Sequence, residues 1–391
     1  MVANGFDKKI AEKFKNDPLA MRVYTSKLLG KDKNLVLHGG GNTSVKIGDY
    51  LYVKGSGWDL GSIEKEGFPA VNLKTLKEMV TRKSLSDSEM VKKQREAMKD
   101  KSYPNPSVEA ILHAVIPFKF VDHTHADAVV TITNTPRGKE FIKEIYGDEV
   151  LIIDYVMPGF ILAKEIYEKT KNFDWSEIKG MILLNHGVFT FGDDAEESYA
   201  NMIEIVNKAE RFLEEKAPLK IKEQKYPKIE KEEIEKLKKS VSSLRKEEIK
   251  PQILDEKEAF FFASLPNVED LVKKGPLTPE HVIRTKPFPL IIKGEIEKET
   301  ENFKNEYEKY FKKFATNEIM LDPAPRWGIY KNRGVLIFGK NEKENLILKD
   351  IISHTVRAIL KAEKIGGWKS LNQEEIFKME YWELEQAKLK K

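Results

Sequence analysis

From about residue 34 to residue 192, short β-branched or aromatic runs alternate with amphipathic stretches of helical period. That alternation limits the architecture to strands layered against helices, an α/β class. Candidate strands lie at 35–37, 50–54, 120–125, 129–133, 150–153 and 181–184, followed by 188–191. A helix from Ala195 to about Lys216 closes the unit. Between 216 and 250 come runs such as Lys231 to Lys239, whose charge density predicts a solvated helix or linker. The expected domains are therefore residues 1–220, a charged helical linker at 221–252, and a smaller α/β domain at 253–391.

The C-terminal part echoes the first. Asn185-His186-Gly187-Val188 before a short strand has a counterpart in Asn332-Arg333-Gly334-Val335, and each is followed by a long helix. Such a turn also recurs by chance, so both a degenerate repeat and a coincidence are compatible with the pattern. In a duplication, Arg333 replaces His186 and no His-x-His recurs, so the second copy holds no metal.

With 391 residues, 40% of them hydrophobic, the chain is long enough for two or three domains. Its 67 Lys and Arg nearly cancel 63 Asp and Glu, and a net charge of +4 gives no field of the kind a nucleic-acid binder uses. A small anionic substrate suits that balance. No run of about 18 apolar residues is present and the first fifteen residues are polar, so neither a membrane span nor a secretion signal is expected, and the location is read as cytoplasmic. The sequence has no cysteine, which excludes disulfides, thiolate ligands and a cysteine nucleophile. Any transition metal must sit on His and carboxylate.

Five of the seven histidines fall between His38 and His186, and His123 and His125 stand two apart beside the apolar pair Phe120-Val121. On a strand, that spacing points both imidazoles to one face, as one metal ion requires. His186 would complete a three-histidine set that leaves a coordination position open, the arrangement of a catalytic zinc. The plainer reading keeps them as polar residues at a strand end. In Pro104 to His113 the pattern is a helix start, with Ser107 or Asn105 near the cap and Glu109 in the first turn. A carboxylate there can simply complement the helix dipole. His113, four residues on, reads as support for the site or as a satisfied core residue.

Two glycine-rich turns lie upstream, His38-Gly39-Gly40-Gly41-Asn42-Thr43-Ser44 and Lys54-Gly55-Ser56-Gly57-Trp58. Successive backbone N–H groups in such turns can wrap phosphate oxygens, although glycines also mark tight turns with no ligand. Neither fits a nucleotide-binding fingerprint.

Gly41-Asn42-Thr43-Ser44, Gly55-Ser56-Gly57, Ser107-Val108-Glu109, His123-Thr124-His125 and Asn185-His186-Gly187 occur in the order seen in the class II aldolase and adducin family, which this chain resembles. The nearest likeness is to the aldolase portion of bacterial proteins that join a rhamnulose-1-phosphate aldolase to a short-chain dehydrogenase. It extends through Gly275 to His281 and Tyr381 to Ala387. No nicotinamide-binding glycine pattern occurs, so oxidoreductase activity is expected to be absent. The resemblance implies a three-layer catalytic domain, with a central sheet flanked by helices, and a zinc-dependent cleavage of a ketose 1-phosphate such as L-rhamnulose 1-phosphate to dihydroxyacetone phosphate and an aldehyde. It implies phosphate contacts at Asn42, Ser56, Gly57 and Ser107, zinc on His123, His125 and His186, and proton transfer by Glu109. Tyr155 is the candidate for the family's tyrosine donated by a neighbouring subunit, and a homo-oligomer, a tetramer by preference, is expected. The alternatives are a pentulose-phosphate 4-epimerase, whose acidic position is typically Asp, and a non-catalytic adducin-like module lacking the complete zinc set.

Overall fold

The computed structural model of the protein describes residues 1–222 and 225–390. The chain divides into two units, Met1–Thr133 with Arg137–Glu215 and Asn134–Pro136 with Lys216–Leu389. The first unit is built on a seven-stranded sheet of β1 (Asn42–Ile47), β2 (Tyr50–Val53), β3 (Ala70–Asn72), β4 (Phe120–Thr124), β5 (Val150–Ile153), β6 (Gly180–Leu183) and β7 (Gly187–Gly192). Their order across the sheet is β3-β2-β1-β4-β7-β6-β5, with helices flanking it. Only β5 and β6 run parallel; the other neighbours are antiparallel. β4, β6 and β7 are buried along their whole length, so Asp122, His123 and Thr124 of β4 are buried together with the apolar residues of its neighbours.

Two expected strands are not strands. Residues 129–133 lie inside the helix Asp127–Thr133, where Ala128 to Thr133 are all buried. β-Branched side chains favour strands only weakly, and burial on every side overrides that preference. Residues 35–37 form a turn in which Leu35 and Val36 donate their N–H groups to the Asp32 carbonyl rather than to a neighbouring strand.

The second unit holds a four-stranded sheet of β8 (Lys250–Ile253), β9 (Leu290–Ile292), β10 (Trp327–Tyr330) and β11 (Gly334–Gly339), ordered β8-β11-β10-β9. Order and directions repeat those of β4-β7-β6-β5: two antiparallel pairings, then a parallel one. The hairpin turns repeat as well, with left-handed Asn185 (φ 60°) in one and Asn332 (φ 64°) in the other. β7 leads into the helix Ala195–Lys216 and β11 into Glu342–Lys364. The register places Ile253 opposite Leu336 where His123 stands opposite Phe189. The second unit thus repeats half of the first, with Ile253, Asp255 and Arg333 at the positions of His123, His125 and His186.

The helix Lys231–Arg245 falls within this second unit, rather than standing as the solvated linker expected at 221–252. Leu237 and Val241 are fully buried in its core, with Ile234 and Leu244 packed alongside. Those four residues form one stripe at helical spacing, and the lysines and glutamates cover the rest. The charge density concealed the stripe. Among the described residues, no helix is long and apolar enough to cross a membrane.

Candidate metal centre and active site

β4 ends where the site begins. Strand alternation sends His123 to one face and Asp122 to the other, and His125 follows just beyond the strand. The left-handed turn at Asn185 brings His186 back over the same end, because β7 pairs with β4. One ligand nitrogen from each of His123, His125 and His186 lies within 4.8 Å of the others. The turn passes so close that a Cβ on Gly187 would stand 2.4 Å from the Thr124 carbonyl oxygen and 3.0 Å from both the His123 and His125 rings. Glycine there is a condition of the triad's geometry.

The His123 tautomer follows from its neighbour. Nδ1 lies 2.9 Å from the Val188 carbonyl oxygen, which only accepts, so Nδ1 carries the proton and Nε2 keeps its lone pair. Burial pushes the His123 imidazole well below its ordinary range and so keeps it neutral, as a metal ligand must be. His125 Nε2 stands 3.0 Å from His123 Nε2.

Glu109 is the N-cap of the helix Ala110–Val115, one position earlier than the first turn, and its side chain makes no capping bond. The carboxylate is buried and turned toward the imidazoles, with Oε2 3.5 Å from His123 Nε2 and Oε1 3.6 Å from His186 Nε2. Simple complementarity to the helix dipole does not describe this placement. Burial alone would raise its pKa, but a hydrogen bond from Asn42, and attraction to the imidazoles whenever one of them carries a proton, oppose it and keep the group ionised. Oε1 is buried and has no hydrogen-bond partner. Three imidazole nitrogens beside an unsatisfied carboxylate oxygen are a donor set that fits a divalent cation.

The glycine turns border the same site. Asn42 pairs with His123 in the β1–β4 ladder, and Gly41, at φ 63°, lies where a Cβ would meet the His123 carbonyl oxygen at 2.6 Å. Ser56 N–H donates to the Asn105 carbonyl and Ser107 N–H to the Lys54 carbonyl, which ties the turn holding Ser56 to the segment holding Ser107 along one bridge, with Gly57 next in the chain after Ser56. Lys54 N–H in turn donates to Thr43. Tyr155 lies elsewhere: it follows the edge strand β5, three strand spacings or about 14 Å across the sheet from β4. Its hydroxyl faces the Met157 sulfur at 3.9 Å.

Sequence reasoning read His113 as support for the site or as a core residue, and passed over the links and charges around it. Ser44 and His113 form, with Asn42, a buried chain of bonds leading to Glu109. Lys54, buried, directs Nζ to the Gly39 carbonyl at 3.0 Å, a cation beside the first glycine turn. The lysine directly before Gly-Ser-Gly was the available signal. On the far face of β4, Arg22 meets Asp122 at 2.5 Å with both side chains fully buried, and Ser198 Oγ donates to the other Asp122 oxygen at 2.5 Å.

Residues 21–213 match the family described as the class II aldolase and adducin N-terminal domain, and residues 228–389 that of the class II aldolase second domain. The uncharacterized oxidoreductase YuxG of Bacillus subtilis is 28% identical over 397 residues, 94% of this chain and 57% of that protein. The chain therefore spans little more than half the length of that relative. The L-fuculose phosphate aldolase of Methanocaldococcus jannaschii is 29% identical over 202 residues, 48% of this chain and 87% of that enzyme. A solved N-terminal class II aldolase domain from a conserved protein of Thermoplasma acidophilum is 39% identical, covering 55% of this chain and 100% of that one at a TM-score of 0.50.

Proposed function

The chain belongs to the class II aldolase and adducin family, and from that premise we propose that it is a zinc-dependent aldolase acting on a ketose 1-phosphate. L-Rhamnulose 1-phosphate is the proposed substrate, with dihydroxyacetone phosphate and lactaldehyde as products. The observation that carries this reading is the buried Glu109 Oε1, without a hydrogen-bond partner and 3.6 Å from His186 Nε2, beside three converging imidazoles.

Zinc held by His123, His125 and His186 would supply a Lewis acid that draws charge from the substrate's carbonyl and hydroxyl oxygens. The protein's own part is position and proton transfer. As the bond between the third and fourth carbons breaks, its electron pair stays with the phosphate-bearing fragment and the other fragment leaves as the aldehyde. The hydroxyl on the fourth carbon gives up its proton as the aldehyde carbonyl forms. Glu109, ionised at rest, takes up that proton and returns it to the carbon that kept the pair. The reverse direction runs the same transfers backward. A positioned acid–base group of this kind is worth roughly 10²–10⁴-fold in rate. Asn42, Ser56, Gly57 and Ser107 are the proposed phosphate donors, with the Lys54 ammonium close by. Tyr155 is proposed as the tyrosine that a neighbouring subunit contributes, consistent with its distance from β4 in the sheet of one chain. The proposed assembly is accordingly a homo-oligomer, with the first unit catalytic and the second devoid of metal ligands.

A glutamate at position 109 favours a lyase over an epimerase, and the complete His123, His125 and His186 set argues against a non-catalytic module. The test is a coupled assay for dihydroxyacetone phosphate release from a panel of ketose 1-phosphates. Release from L-rhamnulose 1-phosphate is expected. Inversion of a pentulose phosphate with no release would assign the epimerase instead, and inertness toward the whole panel would remove the enzymatic reading.

A further inference from the structure

We propose that His113 is a positioning residue for Glu109, acting through the side-chain amide of Asn42. His113 is fully buried and both ring nitrogens are engaged: Nδ1 lies 2.8 Å from Ser44 Oγ, and Nε2 meets Asn42 Oδ1. Asn42 Nδ2 in turn lies 2.6 Å from Glu109 Oε2. The residues stand far apart in sequence, 71 positions between Asn42 and His113, so the contact is one of tertiary structure.

The direction of every bond is fixed by chemistry. An ionised carboxylate has no proton to give, so the Asn42 amide must present its NH₂ to Glu109. Its oxygen then faces His113 and can only accept. His113 Nε2 must therefore carry the ring proton. Burial keeps the ring neutral, at about 3 against an ordinary 6.5, so Nδ1 is bare and accepts from Ser44 Oγ. The relay runs one way, from Ser44 through His113 and Asn42 to Glu109.

Its consequence lies at the other carboxylate oxygen. Holding Oε2 leaves Oε1 toward His186, the placement on which proton transfer depends. Without a donor at Nε2, the amide is free to turn over and offer its oxygen to a carboxylate, two acceptors face to face. Glu109 then loses its fixed orientation. A core histidine serving only to fill space, here edge-on to Phe189 with centroids 5.4 Å apart, would impose no such requirement on the tautomer.

The first test is made on metal-free protein and needs no substrate. Nitrogen-15 spectra of the imidazoles should show His113 as the Nε2–H tautomer in the wild type, and Asn42→Ala should erase that preference. A wild-type Nδ1–H tautomer, or a preference that survives Asn42→Ala, overturns the proposal. The second test rests on the aldolase reading. His113→Leu should lower kcat about 10- to 100-fold, the scale of one lost hydrogen bond to a charged group, with KM and bound zinc unchanged. His113→Gln, whose amide N–H reaches the Nε2 position, should recover most of that loss. In the Asn42→Ala background His113→Leu should cost little more, because the two residues act in series. Equal losses in the Gln and Leu variants, or additive losses in the double variant, overturn it. Should His113→Leu fail to fold, the tautomer and the Gln variant decide. A wild type that turns over no sugar phosphate counts against the proposed function, and the tautomer measurement still decides the relay.

Discussion

Glu109 caps a helix with its backbone while its carboxylate turns away to meet His186, Oε1 standing 3.6 Å from Nε2. A cap that leaves its side chain out of the capping bond has given up about 1 kcal/mol of helix stability, and proton transfer gives that sacrifice a reason. Glu109→Gln should retain bound zinc and lose about 10²–10⁴-fold in kcat. Metal analysis and steady-state kinetics on the same preparation check it; full turnover would remove Glu109 from the mechanism.

Acid should destabilise the metal-free protein from a pH well above the carboxylate range. The His113 ring sits at about 3 in the fold and near 6.5 when unfolded. Between these values the unfolded chain binds a proton that the folded protein refuses, so stability rises with pH across the window and is lost as pH falls below about 6.5. At about pH 5 the loss from His113 alone is about 2 kcal/mol. Denaturant unfolding of wild type and His113→Gln near pH 7.5 and pH 5 should show the variant losing about that much less. Parallel curves would contradict it.

Gly187→Ala should harm metal binding and stability together. The added methyl would stand 2.4 Å from the Thr124 carbonyl oxygen and 3.0 Å from two imidazoles, and a well-packed site yields to such crowding at a cost of about 1–3 kcal/mol. A chelator competition should reveal weaker zinc retention alongside a lower Tm. Unchanged affinity would mean the turn carrying His186 has room to move.

Arg22→Ala should be among the most damaging single substitutions away from the site. It leaves the Asp122 carboxylate fully buried behind His123 without its guanidinium, a change worth about 3–5 kcal/mol. The double change Arg22→Met with Asp122→Leu should recover much of that loss, since the stranded charge goes too. Denaturant midpoints of the wild type and the two variants measure it, and a single substitution costing no more than an exposed ion pair would contradict the burial.

The candidate site was legible where chemistry repeats at short range. His123 and His125 stand two apart at the end of a strand, and His186 stands in an Asn-x-Gly turn, so residue type and local period pointed to them. What local period does not reveal is which distant side chains meet. Asn42 read as a phosphate donor, whereas the fold also makes its amide the link between His113 and Glu109, a contact set by the β1–β4 ladder. The alternating architecture was legible as well, and its misreadings share a cause. The Asp127–Thr133 helix is buried on every side and composed of β-branched residues, so nothing in its period separated it from a core strand. In Lys231–Arg245 a four-residue stripe was outnumbered by charge. Burial decided both, and burial is a property of the fold.

The most direct test of the central claim is a zinc titration of metal-stripped protein, following cleavage of L-rhamnulose 1-phosphate. Activity should be lost on stripping, return in full near one zinc per chain, and fail to return in His186→Ala. Cleavage as fast without metal as with it, or full recovery in His186→Ala, would contradict the account.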